Sequence, residues 1–283
     1  PRSSQKKPKQ FLNLTDPKSS MLQVTFKRLQ GVVPSAHRWV IGTKSIEKQI
    51  KQHVPVKTVL SEPMGRNTMA AACWSAWTVF AKDPEGSVAL LPADAHVANE
   101  PRFREKLRQA FDIAEGRNRI VCLGIKPTFP ATGYGYIETK TPLTDGSLPI
   151  NRFVEKPDHN TATHYLSTGC HVWNAGIFVF KASVFVNEVK KRAPEFYEFF
   201  QKRLGKPAQI IKDYKKLPQV PVDIALMEQT DLGEVIAGDY GWNDVGSWAA
   251  LIEVNKPDKN RNLVDGAIEV FSHDSSNNTI NVN

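Results

Sequence analysis

Two short segments place an acidic side chain where ligands tend to collect. Leu91-Pro92-Ala93-Asp94 puts a carboxylate just past an apolar run, and Gly241–Trp248 (GWNDVGSW) sets Asp244 between two glycines and two tryptophans. Ligands of open α/β sheets bind beyond the carboxyl ends of strands. Two carboxylates from distant segments that meet there suit Mg²⁺, which takes one or two protein carboxylates plus phosphate oxygens. Asp94 and Asp244 are therefore the candidate metal ligands, although an Asp that only caps a loop explains Asp94 equally well.

Other segments carry complementary chemistry. Gly133 and Gly135 in Thr132–Tyr136 (TGYGY) let backbone approach a ligand closely, as they also would in a plain tight turn. In Phe153–Pro157 (FVEKP), the Glu155 carboxylate suits paired hydrogen bonds to sugar hydroxyls and Lys156 suits a phosphate. An exposed ion pair is the plainer account of the same two residues. Asn174, in Val172–Gly176 (VWNAG), donates and accepts just before an apolar run. Upstream stand Pro8–Phe11 (PKQF), with Lys9, and Glu62–Thr68 (EPMGRNT). The latter runs into a helix whose free N–H groups would attract an anion, unless the segment is only an ornate N-cap. The histidines are scattered and none is assigned a catalytic role. No serine sits in a nucleophile elbow, so Ser-His-Asp hydrolysis has no support.

The elements that must position these residues alternate along the chain. Helical spacing predicts helices over 19–29, 67–82, from Asn99 to Gly116, and over 161–166, 182–191 and 247–254. Apolar runs predict strands at 39–42, 88–91, 120–125, 136–138, 151–155 and 177–180, with short strands at 267–271 and 279–282. Such alternation implies an α/β fold with a mixed, mainly parallel central sheet. The expected organisation is one domain over 1–262, followed over 263–283 by the start of a small C-terminal β unit.

Composition narrows the class. With 41% hydrophobic and 23% charged residues, the chain is an ordinary globular protein. The longest nearly apolar run, 69–81, falls short of the ~20 residues that span a bilayer. No membrane association is expected. Cys73, Cys122 and Cys170 are widely spaced and form no C-x-x-C, which argues against a disulfide framework or zinc site and for a reducing cytoplasm. Residues 1–57 hold twelve Lys or Arg against only Asp16 and Glu47, a net of +10 in a chain of net +8. That local field suits a polyanionic small molecule, and no nucleic-acid motif accompanies it, so nucleic acid is not an expected partner.

In their order and spacing these segments closely resemble the mannose-1-phosphate guanylyltransferases, which make GDP-mannose. The resemblance rests on PKQF, EPMGRNT, LPAD, GIKPT at Gly124–Thr128, TGYGYI, FVEKP, WNAG and GWNDVGSW, and it covers essentially the whole chain. It implies a Rossmann-like nucleotide-diphospho-sugar transferase fold. It also implies GTP and mannose 1-phosphate as substrates, pyrophosphate and GDP-mannose as products and Mg²⁺ as cofactor; a homodimer is a candidate assembly that the sequence does not decide. By position, Asp94 and Asp244 would hold Mg²⁺, Glu155 and Asn174 the hexose, and Lys156 and Lys9 its phosphate. Glu62, Gly65, Arg66, Asn67 and Thr68 would line the nucleotide, and Gly133, Gly135 and Tyr136 would border the substrate.

The chain also departs from the pattern. Members open with a strand and a glycine-rich loop that would precede Pro1, and they carry S-R where this chain has Ser3-Ser4. Where they have D-H, it has Asp94-Ala95 with His96 one place on. These departures suggest a second reading, a catalytically silent paralogue that binds GDP-mannose or a sugar phosphate and regulates a partner; a third, a transferase for another sugar or base, stands because sequence encodes little of a pocket's specificity.

Overall fold

A computed structural model of the protein describes residues 8–255, 263–265 and 279–281. The expectations at Ser3, Ser4 and 267–271 lie outside the described residues. The chain opens with α1 (Met21–Arg28), β1 (Val40–Thr43), α2 (Glu47–His53), β2 (Val59–Glu62) and α3 (Asn67–Phe80). Next come β3 (Ser87–Leu90), β4 (His96–Val97), α4 (Glu100–Arg117), β5 (Ile120–Ile125), β6 (Tyr136–Thr139) and β7 (Ser147–Val154). The second half adds α5 (His159–Thr168), β8 (His171–Lys181), α6 (Ala182–Arg192), α7 (Pro194–Gln201) and α8 (Pro207–Asp213). After these follow β9 (Gly233–Gly238), β10 (Trp242–Asn243), α9 (Trp248–Val254), β11 (Leu263–Asp265) and β12 (Thr279–Asn281). In the C-terminal stretch, β11 and β12 pair in parallel.

Local chemistry explains the helix ends that matter. Ser20 and Gln23 form a reciprocal capping box that starts α1. Asn99 caps α4 by accepting from the Arg102 N–H at 3.0 Å. That helix runs past Gly116 and stops at Asn118, whose φ of 53° supplies the left-handed cap.

Six strands build the main sheet in the order β3-β8-β5-β9-β7-β6, and β8 also reaches β6. The sheet is mixed, but "mainly parallel" needs correction: within it only β5 and β9 pair in parallel. The cause is β8, which runs antiparallel to β3, β5 and β6, together with the β6–β7 hairpin. Helices cover both faces, so β5 is buried along its whole length. Its residues alternate between two cores, as strand geometry requires. Ile120 and Cys122 join Trp74, Trp77, Phe180 and Phe196 on the α3, α6 and α7 side. Val121, Leu123 and Ile125 join Phe103, Leu107 and Tyr240 on the α4 side.

The strand expected at 177–180 is the second half of a longer one. β8 begins at His171, and its register on β5 jumps between Leu123↔Ile177 and Gly124↔Asn174. Gly176, at φ 66°, makes that bulge possible. The bulge re-aims Asn174 within a strand that would otherwise bury every other side chain on the same face.

Candidate functional site

β4 and β10 pair antiparallel, with Asn243 opposite His96, so Asp94 and Asp244 lie beyond the same end of this short ladder. Lys9 joins them. Its Nζ lies 3.1 Å from Asp94 Oδ2 and donates to the Asp244 carbonyl. Phe11, two residues on, anchors the Lys9 turn by packing against the buried cluster of Leu22, Phe26, Ile50 and Val54, its ring 4.9 Å from that of His53. The Asp94 loop is gripped from α1. Both terminal nitrogens of buried Arg28 donate to the Ala95 carbonyl at 3.3 Å, and the Thr25 hydroxyl donates to that of Ala93 at 3.5 Å. Burial brings the Arg28 guanidinium down to about 10, although Glu100 opposes the shift.

Asp244 is oriented with equal care. Its Oδ1 accepts from the Tyr134 hydroxyl at 3.2 Å and from the Gly246 N–H at 3.0 Å. Tyr134 stands edge-on to Trp173 and Trp242, with centroids at 5.1 and 5.4 Å. Burial first, and then the neighbouring Asp244 charge, push its hydroxyl well above the usual tyrosine value, so it stays a donor. Sequence reasoning missed both Tyr134 and Arg28. The first was legible as part of TGYGY; the second was visible only as a basic residue ending α1.

The next residue along, Gly135, opens a second cluster. Its carbonyl accepts from the Asn174 N–H at 2.9 Å, and a Cβ built on it would stand 2.9 Å from Glu155 Oε2. Glu155 Oε1 pairs with Lys156 Nζ at 2.7 Å, and both side chains are exposed. Such a pair is worth at most about 1 kcal/mol, so a ligand separates it at little cost. Lys156 itself sits at φ 42°. The Asn174 carboxamide donates through Nδ2 to Asp223 Oδ1 at 2.7 Å and accepts at Oδ1 from the Gly176 N–H at 2.9 Å. Residues 134 and 135 thus connect the Lys9, Asp94 and Asp244 group with the Glu155, Lys156 and Asn174 group.

Other candidates fall elsewhere. Tyr136 is a correction: it is 1% exposed, its hydroxyl donates to the Ala131 carbonyl at 2.9 Å, and it belongs to the core. Strand β6 begins there, and its inward-facing position is what buries the ring. Gly65 and Gly133 have open space where a Cβ would be, so no protein neighbour demands glycine at either position. Glu62 is buried and accepts from the Tyr214 hydroxyl at 2.5 Å. Burial pushes its carboxyl above the usual range despite that bond.

The expectation of free N–H groups at the start of α3 is also corrected. The Thr68 N–H donates to Asn67 Oδ1 at 2.8 Å and the Met69 N–H to the Val220 carbonyl at 3.2 Å. A helix end packed against another part of the protein must satisfy its donors, and here the Asn67 side chain and the Val220 carbonyl take these two. Arg66 donates to the Lys215 carbonyl, and Thr68 Oγ1 accepts from the Val222 N–H at 2.9 Å. What EPMGRNT presents to a ligand is thus side chain more than helix end. At the departure from the D-H pattern, Ala95 is buried beneath Arg28, and His96 is held below its usual value by burial and then by the Arg28 charge.

The chemistry of Asp94 and Asp244 is compatible with a hard cation. The Lys9 ammonium lies against the Asp94 carboxylate and the Asp244 backbone carbonyl, and the Tyr134 and Gly246 hydrogen bonds to Asp244 both fall on one carboxylate oxygen, Oδ1. No three His, Cys, Asp or Glu side chains gather into a closed cage among the described residues. Two carboxylates that are at least partly open to solvent suit a hard cation that keeps several oxygen ligands from elsewhere. No helix among the described residues is long and apolar enough to cross a membrane.

Known proteins resemble this chain over nearly its whole length. A putative mannose-1-phosphate guanylyltransferase of Vibrio cholerae is 40% identical over 92% of this chain and 58% of its own length. A mannose-1-phosphate guanylyltransferase of Escherichia coli is 33% identical over 99% of the chain and 63% of its own. The chain therefore spans about three fifths of the curated relatives it matches. A crystal structure described as mannose-1-phosphate geranyltransferase from Thermus thermophilus superposes with a TM-score of 0.90 at 28% identity, covering 100% of this chain and 84% of that one. A UDP-glucose pyrophosphorylase from Acinetobacter baumannii, at 15% identity and a TM-score of 0.54, shares the fold alone. The family model described as nucleotidyl transferase matches residues 1–261, which takes in both carboxylates, the lysine between them and the Glu155 and Asn174 cluster, and the chain belongs to that family.

Proposed function

We propose that the protein transfers a guanylyl group from GTP to α-mannose 1-phosphate, releasing pyrophosphate and forming GDP-mannose. The observation that carries this reading is the meeting of Asp94, Asp244 and the Lys9 ammonium beside a polar cluster of Glu155 and Asn174. The names of the matched relatives support the choice of base and sugar.

In this reading Glu155 and Asn174 hold the hexose, and Lys156 and Lys9 balance its phosphate. A sugar-phosphate oxygen attacks the α-phosphorus of GTP in line as the bond to pyrophosphate breaks. The nucleophile is already ionised near neutral pH, so no residue need act as general base, and positioning with charge neutralisation supplies the rate. Asp94 and Asp244 would hold Mg²⁺, which when bound offsets negative charge on the reacting phosphates. Tyr134 and the Gly246 N–H keep Asp244 oriented, and Arg28 with Thr25 keeps the backbone around Asp94 in place.

The test is pyrophosphate release by the purified protein with Mg²⁺ across a panel of nucleotides and sugar phosphates. GTP with mannose 1-phosphate should be the best pair; better use of UTP or glucose 1-phosphate overturns the assignment. Asp94→Asn and Asp244→Asn should each lower turnover by at least about two orders of magnitude, the scale of a lost preorganised electrostatic group, while the fold persists. Near-normal turnover in either folded variant removes that residue from the mechanism. Tight GDP-mannose binding without any turnover would favour the regulatory paralogue.

A further inference from the structure

Asp223 was invisible as a functional residue in the sequence, and nothing in the proposed chemistry so far uses it. It opens a π-helical turn, Asp223–Met227, whose Leu226 and Met227 are buried. Such turns are rare and recur at functional sites. The Asp223 carboxyl is held above the usual range by burial, with the Glu155 charge adding to the shift and the Asn174 hydrogen bond opposing it. Glu228, on the same segment, is raised by burial and then by Asp223 and Glu155. The fold therefore keeps a half-buried carboxylate within reach of two others, an arrangement that opposes stability and calls for a return elsewhere.

The return lies in the Asn174 carboxamide. A free carboxamide flips between two orientations that exchange its donor and acceptor. Here Asp223 Oδ1 takes one Nδ2 hydrogen at 2.7 Å, and the Gly176 N–H fills one lone pair of Oδ1 at 2.9 Å. An acceptor-only carboxylate on one side and a donor-only N–H on the other permit a single orientation. Among the described residues, one N–H and one lone pair of the amide remain unspent. A sugar hydroxyl, which donates and accepts at once, is the chemical group that matches this pair.

We infer that Asp223 is a positioning residue of the hexose subsite, locking the Asn174 carboxamide in the one orientation that reads a sugar hydroxyl. The inference rests on the hexose role proposed for Asn174. Val222, the preceding residue, donates to Thr68 Oγ1 at 2.9 Å, so one short segment braces both the start of α3 and the amide that reads the sugar.

The experiment is a double-mutant cycle with Asn174→Ala and Asp223→Ala, plus the conservative Asp223→Asn, whose carbonyl can still accept from Asn174. Steady-state kinetics give KM for mannose 1-phosphate, KM for GTP, kcat and the preference over glucose 1-phosphate. A substrate-free readout is the Asn174 side-chain NH₂ signal in a ¹H–¹⁵N spectrum, assigned by its loss in Asn174→Ala. Asp223→Ala should raise the mannose 1-phosphate KM about tenfold, the equivalent of about 1.4 kcal/mol, with GTP KM within about twofold. It should also erase the exchange protection of the Asn174 amide. Asp223→Asn should recover most of both losses, and the double variant should be no worse than Asn174→Ala alone.

Additive single effects, an unchanged amide signal in Asp223→Ala, or equal damage from Asn and Ala at 223 would each overturn the inference. An Asn174→Ala protein with normal sugar-phosphate KM overturns the hexose role of Asn174, and this inference with it. An altered KM in Asn174→Ala beside an unchanged amide signal in Asp223→Ala refutes the positioning role alone. Should Asp223→Ala not fold, Asp223→Ser removes the same carboxylate with a smaller change in polarity and is read in the same way.

Discussion

Gly135→Ala should damage the hexose site through Glu155 and leave the fold almost untouched. The added methyl would stand 2.9 Å from Glu155 Oε2, where ordinary contact begins at 3.4 Å. The obstructing atom is the tip of a flexible, exposed side chain, so the carboxylate swings away and the backbone stays. Gly135 has no left-handed φ to lose, and Gly→Ala at a permitted backbone geometry stabilises by about 0.4–1 kcal/mol through the unfolded state. The melting temperature should then move by no more than about 4 °C.

Function is affected more strongly. A retreat of about half an ångström takes a charge-assisted bond out of its 2.7–2.9 Å optimum. Losing one such bond removes about 1.5–3 kcal/mol, a factor of about 10 to 150 in affinity. The KM for mannose 1-phosphate should rise at least about tenfold while that for GTP holds. The discriminating assay repeats the substitution in a Glu155→Ala background, where Gly135→Ala should cost almost nothing further. An equal loss in both backgrounds would mean that the methyl strikes the substrate directly, and an unchanged KM in the single variant would refute the contact altogether.

Glu155 and Lys156 should fail differently: Glu155→Gln blurs mannose 1-phosphate against glucose 1-phosphate, Lys156→Met weakens every sugar phosphate alike, and identical selectivity profiles would remove the division of labour. Arg28→Met frees the Ala95 carbonyl but also removes a guanidinium that burial opposes, so the melting temperature should change little while the Mg²⁺ concentration for half-maximal turnover rises severalfold; an unchanged Mg²⁺ dependence would refute the role of α1. Because the folded protein raises the Asp223 carboxyl, ionising it opposes folding, so Asp223→Asn should melt higher than the parent at pH 7 and the gap should close as pH falls from the raised Asp223 value down to the usual carboxylate value. A gap that widens toward acid would reverse the sign of that argument.

What the sequence made legible follows from how locally each feature is encoded. The capping box of α1, the apolar run of β5 and the Asn99 cap of α4 are set by neighbours in the chain, and each element forms where its pattern points. The direction of β8 and its extension back to His171 depend on three partner strands, which no local window contains. The same distinction divides the site. Asp94, Asp244, Glu155 and Asn174 stand in glycine-rich or proline-bounded motifs that announce unusual backbone. Asp223 sits in an unremarkable PVDIALM stretch and gains its role only from an amide 49 positions away. Tyr134 and Tyr136 show the limit of motif reading, since two tyrosines two positions apart share a face only in continuous strand. Strand begins at Tyr136, so one ring enters the core and the other turns toward Asp244.

Backbone strain gives a second, independent view of where the chemistry lies. Four described residues other than glycine have positive φ: Asn67, Asn118, Lys156 and Val245. Asn118 is a helix cap, and the other three fall in EPMGRNT, FVEKP and GWNDVGSW. Val245 is the costliest, because a β-branched side chain at φ 51° crowds its own backbone, at about 1–3 kcal/mol. Glycine would relieve that strain, yet valine is present because its side chain is buried with Leu14, Met21 and Leu251. Burying a valine returns about 1.5–3 kcal/mol, enough to offset the strain. The Val245 N–H bonds Asn243 Oδ1 at 2.7 Å and the Gly246 N–H bonds Asp244 Oδ1 at 3.0 Å, which closes the turn around the carboxylate. Core packing at Val245 and hydrogen bonds on either side of Asp244 therefore hold one acidic side chain where the chain alone would not place it.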